Sequence, residues 1–126
     1  MIIALKDIIE FRNMDAIFGT QKVPVRVAYA LSKIKEAAQK EWEFYSAQAR
    51  ELIDECSEHD ETGGLKFDEN GNFILMEDKR EEFYNRLSEI ENVETQVACD
   101  PISLSSIESL EIDLPMMEKI MPILDI

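Results

Sequence analysis

The chain is 126 residues long, 45% hydrophobic and 32% charged, with a formal net charge of −14. That length and an apolar pattern that recurs throughout describe one folded domain rather than an acidic disordered tail. No apolar run approaches the ~18 residues that cross a bilayer, and the strongly acidic balance repels phosphate backbones, which excludes direct nucleic-acid binding.

The charge is uneven. Residues 1–52 carry eight basic and seven acidic side chains, whereas residues 53–126 carry five and twenty. A surface of the second kind attracts a basic groove on another protein, through a field that weakens as salt rises. The opening MIIALKDIIEFRN places acids inside its apolar stretch and has no small-residue cleavage site, so no secretory signal is expected. The two cysteines, Cys56 and Cys99, fit no metal spacing and read as reduced thiols of a cytoplasmic protein.

In chain order, Leu5, Ile8, Ile9, Phe11, Ile17 and Phe18 stand at mixed helical spacing and predict a helix over 3–18, closed by Gly19. Pro24 suits a first helical turn and opens a long helix over 24–57. Its apolar stripe is Val27, Leu31, Ile34, Ala38, Trp42, Tyr45, Ala49, Leu52 and Cys56. The three- and four-residue steps are those of a coiled-coil seam, with one stutter at Ala38–Trp42. Such a helix is roughly 45–50 Å long.

The polar stretch SEHDETGG follows, and then a β-hairpin over 65–75 turning at Asn70-Gly71. A three-residue loop, preferred because it puts four apolar side chains on one face, sets Phe67 opposite Phe73 and Leu65 opposite Leu75. A two-residue turn would instead pair Phe67 with Ile74. Asp78 and Glu81 resemble a capping box opening a return helix over 78–92, with Phe83, Leu87 and Ile90 inward. Alternation predicts a strand over 93–99, stopped by Asp100-Pro101. Residues 102–126 read as irregular and helical, with turns near 104–110 and from Pro115, where Met116, Met117, Ile120 and Met121 seek an apolar surface. The fold class is therefore α+β and mostly helical. A long helix and a shorter return helix form an antiparallel, coiled-coil-like hairpin joined through the β-hairpin, with a short strand and a small C-terminal helix. The return helix is too short to cover the first half of the seam. Val27, Leu31 and Ile34 are thus expected to be covered by the N-terminal helix, the C-terminal segment or, most simply, a two-fold partner copy. Left wet, each would forfeit ~1.5–3 kcal/mol.

The chemistry tests are negative. KFDENGNFILME offers an EF-hand-like Asp68, Asn70, Gly71 and Glu77, but its first ligand position is Lys66, an ammonium where a carboxylate is needed. It reads as a turn. His59 and Cys56 form a Cys-x-x-His pair without the third and fourth ligands of a structural zinc site. No Gly-x-Ser-x-Gly elbow and no phosphate-cradling loop occur. No enzyme, metal or cofactor is expected, and Trp42 and Tyr45 on the seam read as core rather than as a stacking platform.

Three stretches taken together, KVPVRVAYALSKIKEAAQKEWEFY, DENGNF and EEFYNRLSEIENVETQVACDPISL, resemble in layout the families of small tailed-phage and prophage proteins without an assigned activity. The resemblance carries no catalytic motif. It implies a viral accessory or assembly role in the bacterial cytoplasm. The expectation for function is a non-enzymatic, phage-encoded protein that binds and inhibits a host defence or regulatory protein bearing a basic surface. The contact residues would be Glu58, Asp60, Glu61, Asp68 and Glu69. Two rival readings stand beside it. One is a tail-associated or chaperone-like assembly protein recognised through the long helix and the Met-rich C-terminus, of which residues 115–126 could be deleted with the fold left intact. The other is an oligomeric sponge for a signalling nucleotide, with Arg26, Lys33, Lys35 and Lys40 lining the pocket.

Overall fold

A computed structural model describes residues 1–19 and 21–126, with every side chain among them except that of Ala16. The fold is mostly helical, with one long helix, several smaller ones, a β-hairpin and a short C-terminal helix. The internal contacts of the chain, expected as one domain, divide between two compact units. Unit 1 comprises Met1–Trp42 and Val93–Ile126, and unit 2 comprises Glu43–Asn92.

In unit 1 the segment expected as one helix over 3–18 is broken. Its first residues form strand β1 (Ile2–Ala4), followed by α1 (Leu5–Ile8), a 3-10 turn over Ile9–Asn13 and α2 (Met14–Phe18). The reason lies in the pattern: Leu5, Ile8, Ile9, Phe11, Met14, Ile17 and Phe18 are all buried. At 100° per residue they would surround a regular helix, whereas the tighter winding of a 3-10 turn brings them inward. Gly19 closes α2 at φ 60°, ψ −136°, a conformation that a side chain would strain, and its N–H donates to the Asp15 carbonyl at 2.8 Å.

The long helix α3 (Val25–Cys56) has no glycine or proline within it. In unit 1 its stripe residues Val27, Leu31, Ile34 and Ala38 are 3%, 7%, 0% and 0% exposed. This overturns the reason for invoking a second copy. Val27, Leu31 and Ile34 are already buried within the single chain, so no partner copy is needed to cover them. The Arg12 guanidinium lies 4.0 Å over the Trp42 ring. The strand expected over 93–99 contracts to β2 (Glu94–Gln96), antiparallel to β1 with Ile3 opposite Thr95. The Val97 N–H still bonds the Met1 carbonyl at 2.9 Å, but the Cys99 N–H turns back to the Val97 carbonyl at 2.8 Å and ends the ladder. Next come β3 (Ile102–Ser103), α5 (Leu114–Ile120) and β4 (Leu124–Asp125), with β3 and β4 parallel. The Asp113 carboxylate caps α5 by accepting the Met116 N–H at 2.8 Å.

In unit 2, α4 (Arg80–Glu91) returns onto the last turns of α3. Leu52, Cys56 and Phe83 form the core, with Ile53, Phe73, Leu75, Leu87 and Ile90 half-buried against it. Arg86 bridges Glu55 across the two helices. The capping box expected from Asp78 and Glu81 does not form, because residues Glu77–Lys79 wind as a 3-10 turn and α4 begins at Arg80 without a side-chain cap.

The connection between these helices is more ordered than a single hairpin. Phe67 does face Phe73, but Leu65 pairs with His59 and Leu75 with Ser57, not with each other. The three antiparallel pairs recur at an eight-residue interval, 57/59, 65/67 and 73/75. Each is flanked by its own two backbone bonds. These are Glu58 N–H to Ile74 O (2.7 Å) with Met76 N–H to Cys56 O (2.9 Å), Asp60 N–H to Gly64 O (2.8 Å) with Lys66 N–H to Glu58 O (3.0 Å), and Asp68 N–H to Asn72 O (2.8 Å) with Ile74 N–H to Lys66 O (3.2 Å). Three short segments therefore close on one another in a triangle, each using one end for each neighbour. The sequence carries the same interval as SEHDETGG, LKFDENGN and FILM, a repeat that pattern reading by helical and strand period passes over.

Candidate functional site

The repeat places two turns with the same hydrogen bonds on the surface of unit 2. In DETGG, one carboxylate oxygen of Asp60 accepts the N–H of Thr62 (2.9 Å), the hydroxyl of Thr62 (2.6 Å) and the N–H of Gly64 (3.0 Å). In DENGN, Asp68 accepts the N–H of Asn70 (2.9 Å) and of Asn72 (3.0 Å) in the same way. The fourth residue of each turn is a glycine at positive φ, Gly63 at 87° and Gly71 at 80°. The loop that resembles an EF-hand in composition is thus an aspartate-centred β-turn whose carboxylate is engaged by its own backbone. Among the described residues no group of three His, Cys, Asp or Glu side chains is placed to hold a metal ion.

The five acids expected to make the contact therefore separate into two kinds. Asp60 and Asp68 hold turns. The Thr62 hydroxyl, followed by the N–H groups of Gly64 and Thr62, keeps the Asp60 carboxyl below the ordinary carboxylate range. Glu58, Glu61 and Glu69 make no side-chain hydrogen bond or ion pair among the described residues, and Glu61 and Glu69 are exposed. Unit 2 as a whole carries fifteen acidic and five basic side chains. One of the five, Arg86, is engaged by Glu55 and Glu82.

Beside the second turn lies a cleft of about 520 Å³, lined by Asp68, Asn72, Phe73, Ile74, Leu75, Arg80 and Tyr84. Two aromatic contacts hold its wall. Phe73 meets the buried Phe83 edge-on at 5.9 Å, and Phe83 meets Tyr84 edge-on at 5.2 Å. Phe67 and Tyr84 remain 60% and 56% exposed. Pattern reading of the sequence left out Phe67, Tyr84 and Arg80 as functional residues. The available signal was Tyr84 standing one residue off the inward Phe83, Leu87, Ile90 stripe of α4.

The remaining candidates disperse. His59 Nε2 lies 2.9 Å from Asp54 Oδ1 on the surface. Cys56 is fully buried, and burial, with Glu82 adding to it, pushes its thiol up. Cys99 is raised by burial as well, so neither thiol has the character of a nucleophile at neutral pH. The four cations of the nucleotide reading line three separate clefts of unit 1. Arg26 is in one of about 510 Å³, Lys33 and Lys40 in a second of about 360 Å³, and Lys35 in a third of about 310 Å³. At the C-terminus, Met116 and Met117 are half-buried, while Ile120 and Ile123 are fully buried. Residues 115–126, expected to be removable with the fold intact, thus contribute two side chains to the buried set of unit 1.

No helix among the described residues is long and apolar enough to cross a membrane. Compared with protein-family models, with curated proteins and with solved structures, the chain matches none.

Proposed function

We propose that the protein is a non-enzymatic binding protein that engages a basic surface on another protein through the acidic face of unit 2. In this reading it is a phage-encoded accessory factor of the bacterial cytoplasm that inhibits a host defence or regulatory protein. The phage assignment rests on the sequence layout. The observation that carries the binding reading is the concentration of fifteen acids against five bases in a fifty-residue unit, with the side chains of Glu58, Glu61 and Glu69 making no hydrogen bond or ion pair among the described residues. Uncompensated charge of one sign steers a partner of opposite sign and suppresses like-charged ones.

The structure refines the test. Charge should be reversed at Glu58, Glu61 and Glu69, whose side chains make no hydrogen bond or ion pair among the described residues, and left alone at Asp60 and Asp68. Bacterial proteins retained by the immobilised chain at low salt would be identified, purified and titrated against it at 50 and 300 mM NaCl. The expected result is a Kd that rises at least about tenfold with salt and rises similarly in the Glu58→Lys, Glu61→Lys, Glu69→Lys variant. An affinity indifferent to both changes overturns the proposal.

A further inference from the structure

We infer that the cleft between Phe73, Leu75 and Tyr84 is the anchor site of that interface and takes one apolar side chain from a partner segment rich in lysine and arginine. The inference rests on the acidic-face reading and adds to it the contact that charge alone cannot supply.

Field strength selects the sign of a partner, but exposed ion pairs contribute little affinity and are screened by salt. A stable interface concentrates its energy in a few desolvated aromatic or aliphatic contacts ringed by polar groups. Unit 2 presents that arrangement. The Phe67–Phe73 pair is flanked by its two backbone bonds, Asp68 N–H to Asn72 O and Ile74 N–H to Lys66 O, which makes it the narrow, non-hydrogen-bonded kind. The two rings therefore project side by side from one face of the ladder. Phe73 continues into the cleft, and the contact of Phe83 with Tyr84 fixes the opposite wall. A volume of about 520 Å³ exceeds what one leucine, methionine or phenylalanine occupies. The Tyr84 ring, 56% exposed, is held edge-on against Phe83 rather than left at a loose end, so binding would pay little ordering entropy there.

The charge of the unit decides the occupant, fifteen acids against five bases. Glu69, Glu77, Asp78 and Glu81, each within two residues of a lining residue, are exposed acids that favour a partner segment carrying cations. Arg80 stands in the lining and is unpaired among the described residues. Its guanidinium opposes a lysine or arginine entering the cleft itself and suits a backbone carbonyl of the partner segment. An apolar residue within a basic run satisfies both.

Two synthetic nonapeptides test this, nine lysines and the same peptide with leucine at its centre, each titrated at 50 and 300 mM NaCl against the full chain and against Tyr84→Ala. The leucine peptide is expected to bind about tenfold more tightly, a 1.4 kcal/mol difference. That ratio should hold at the higher salt, because it comes from apolar burial, and it should collapse in Tyr84→Ala. Amide and methyl shifts of Ile74 and Leu75 should follow the leucine peptide only, which locates the contact without any substitution. Equal binding of the two peptides, steeply weakened by salt, overturns the anchor and leaves the acidic-face reading standing. Failure of both to bind overturns the two together. A leucine preference that survives Tyr84→Ala, with no shift at Ile74 or Leu75, removes the site from this cleft.

Discussion

Gly63 and Gly71 occupy equivalent places in the two turns, at φ 87° and 80°, and a Cβ at either would meet open space. The cost of substitution is therefore backbone strain and nothing else. Gly63→Ala and Gly71→Ala should each destabilise the protein by about 1–2 kcal/mol, measured by chemical denaturation. An unchanged midpoint would mean the turns do not depend on that conformation. Asp60 adds a pH signature. Its folded carboxyl lies below the ordinary aspartate value because the Thr62 hydroxyl and two N–H groups favour the anion. A depressed pKa means that the unfolded chain takes up the proton first. The stabilisation is thus present above the unfolded value and lost as pH falls through the folded one. Melting wild type and Asp60→Asn between pH 6 and 2 should show wild type more stable at the upper end, with the two curves converging below about pH 3.8. Parallel curves would show that this carboxylate is not held as an anion.

At the scale of the element, α3 uses one stripe for two cores. Its first half buries Ile34 completely in unit 1 and its last turns bury Leu52 in unit 2, while Trp42, Tyr45 and Ala49 between them are half-buried. Ile34→Ala and Leu52→Ala should each cost about 2–5 kcal/mol. Hydrogen exchange by mass spectrometry should locate the damage. Amides of β2 and α5 should lose protection in the first variant, and those of α4 in the second. The same loss of protection throughout both variants would show that the two units unfold as one. The seam was legible because three- and four-residue steps over more than thirty residues have one geometric solution. The N-terminal segment departs from a single helix because an all-round apolar pattern is compatible with several windings, and only the neighbours decide which positions turn inward.

At the scale of the molecule, a net charge of −14 with most of the excess in one unit is self-repelling. Raising NaCl from 20 to 500 mM should screen that repulsion and raise Tm; a fall would mean that the Arg86 bridges to Glu55 and Glu82 outweigh it. Removing residues 115–126 takes Ile120 and Ile123 from the core and deletes the strand that pairs with β3. The two isoleucines alone represent ~1.5–3 kcal/mol each. Truncation should therefore abolish cooperative melting followed by circular dichroism, and a preserved transition would restore the C-terminus as a detachable segment.

What the amino-acid order determined by itself is local. It set the run of α3, the pairing of Phe67 with Phe73, the helix stop at Gly19 and the uneven charge, because each follows from neighbours within a few turns of chain. Tertiary structure alone decided the rest. β1 pairs with a strand about ninety residues away, and two of the five acids expected at the contact hold turns while a tyrosine outside the buried stripe walls the cleft. Those outcomes depend on which segments meet, and loop closure over long separations leaves no periodic trace in the sequence.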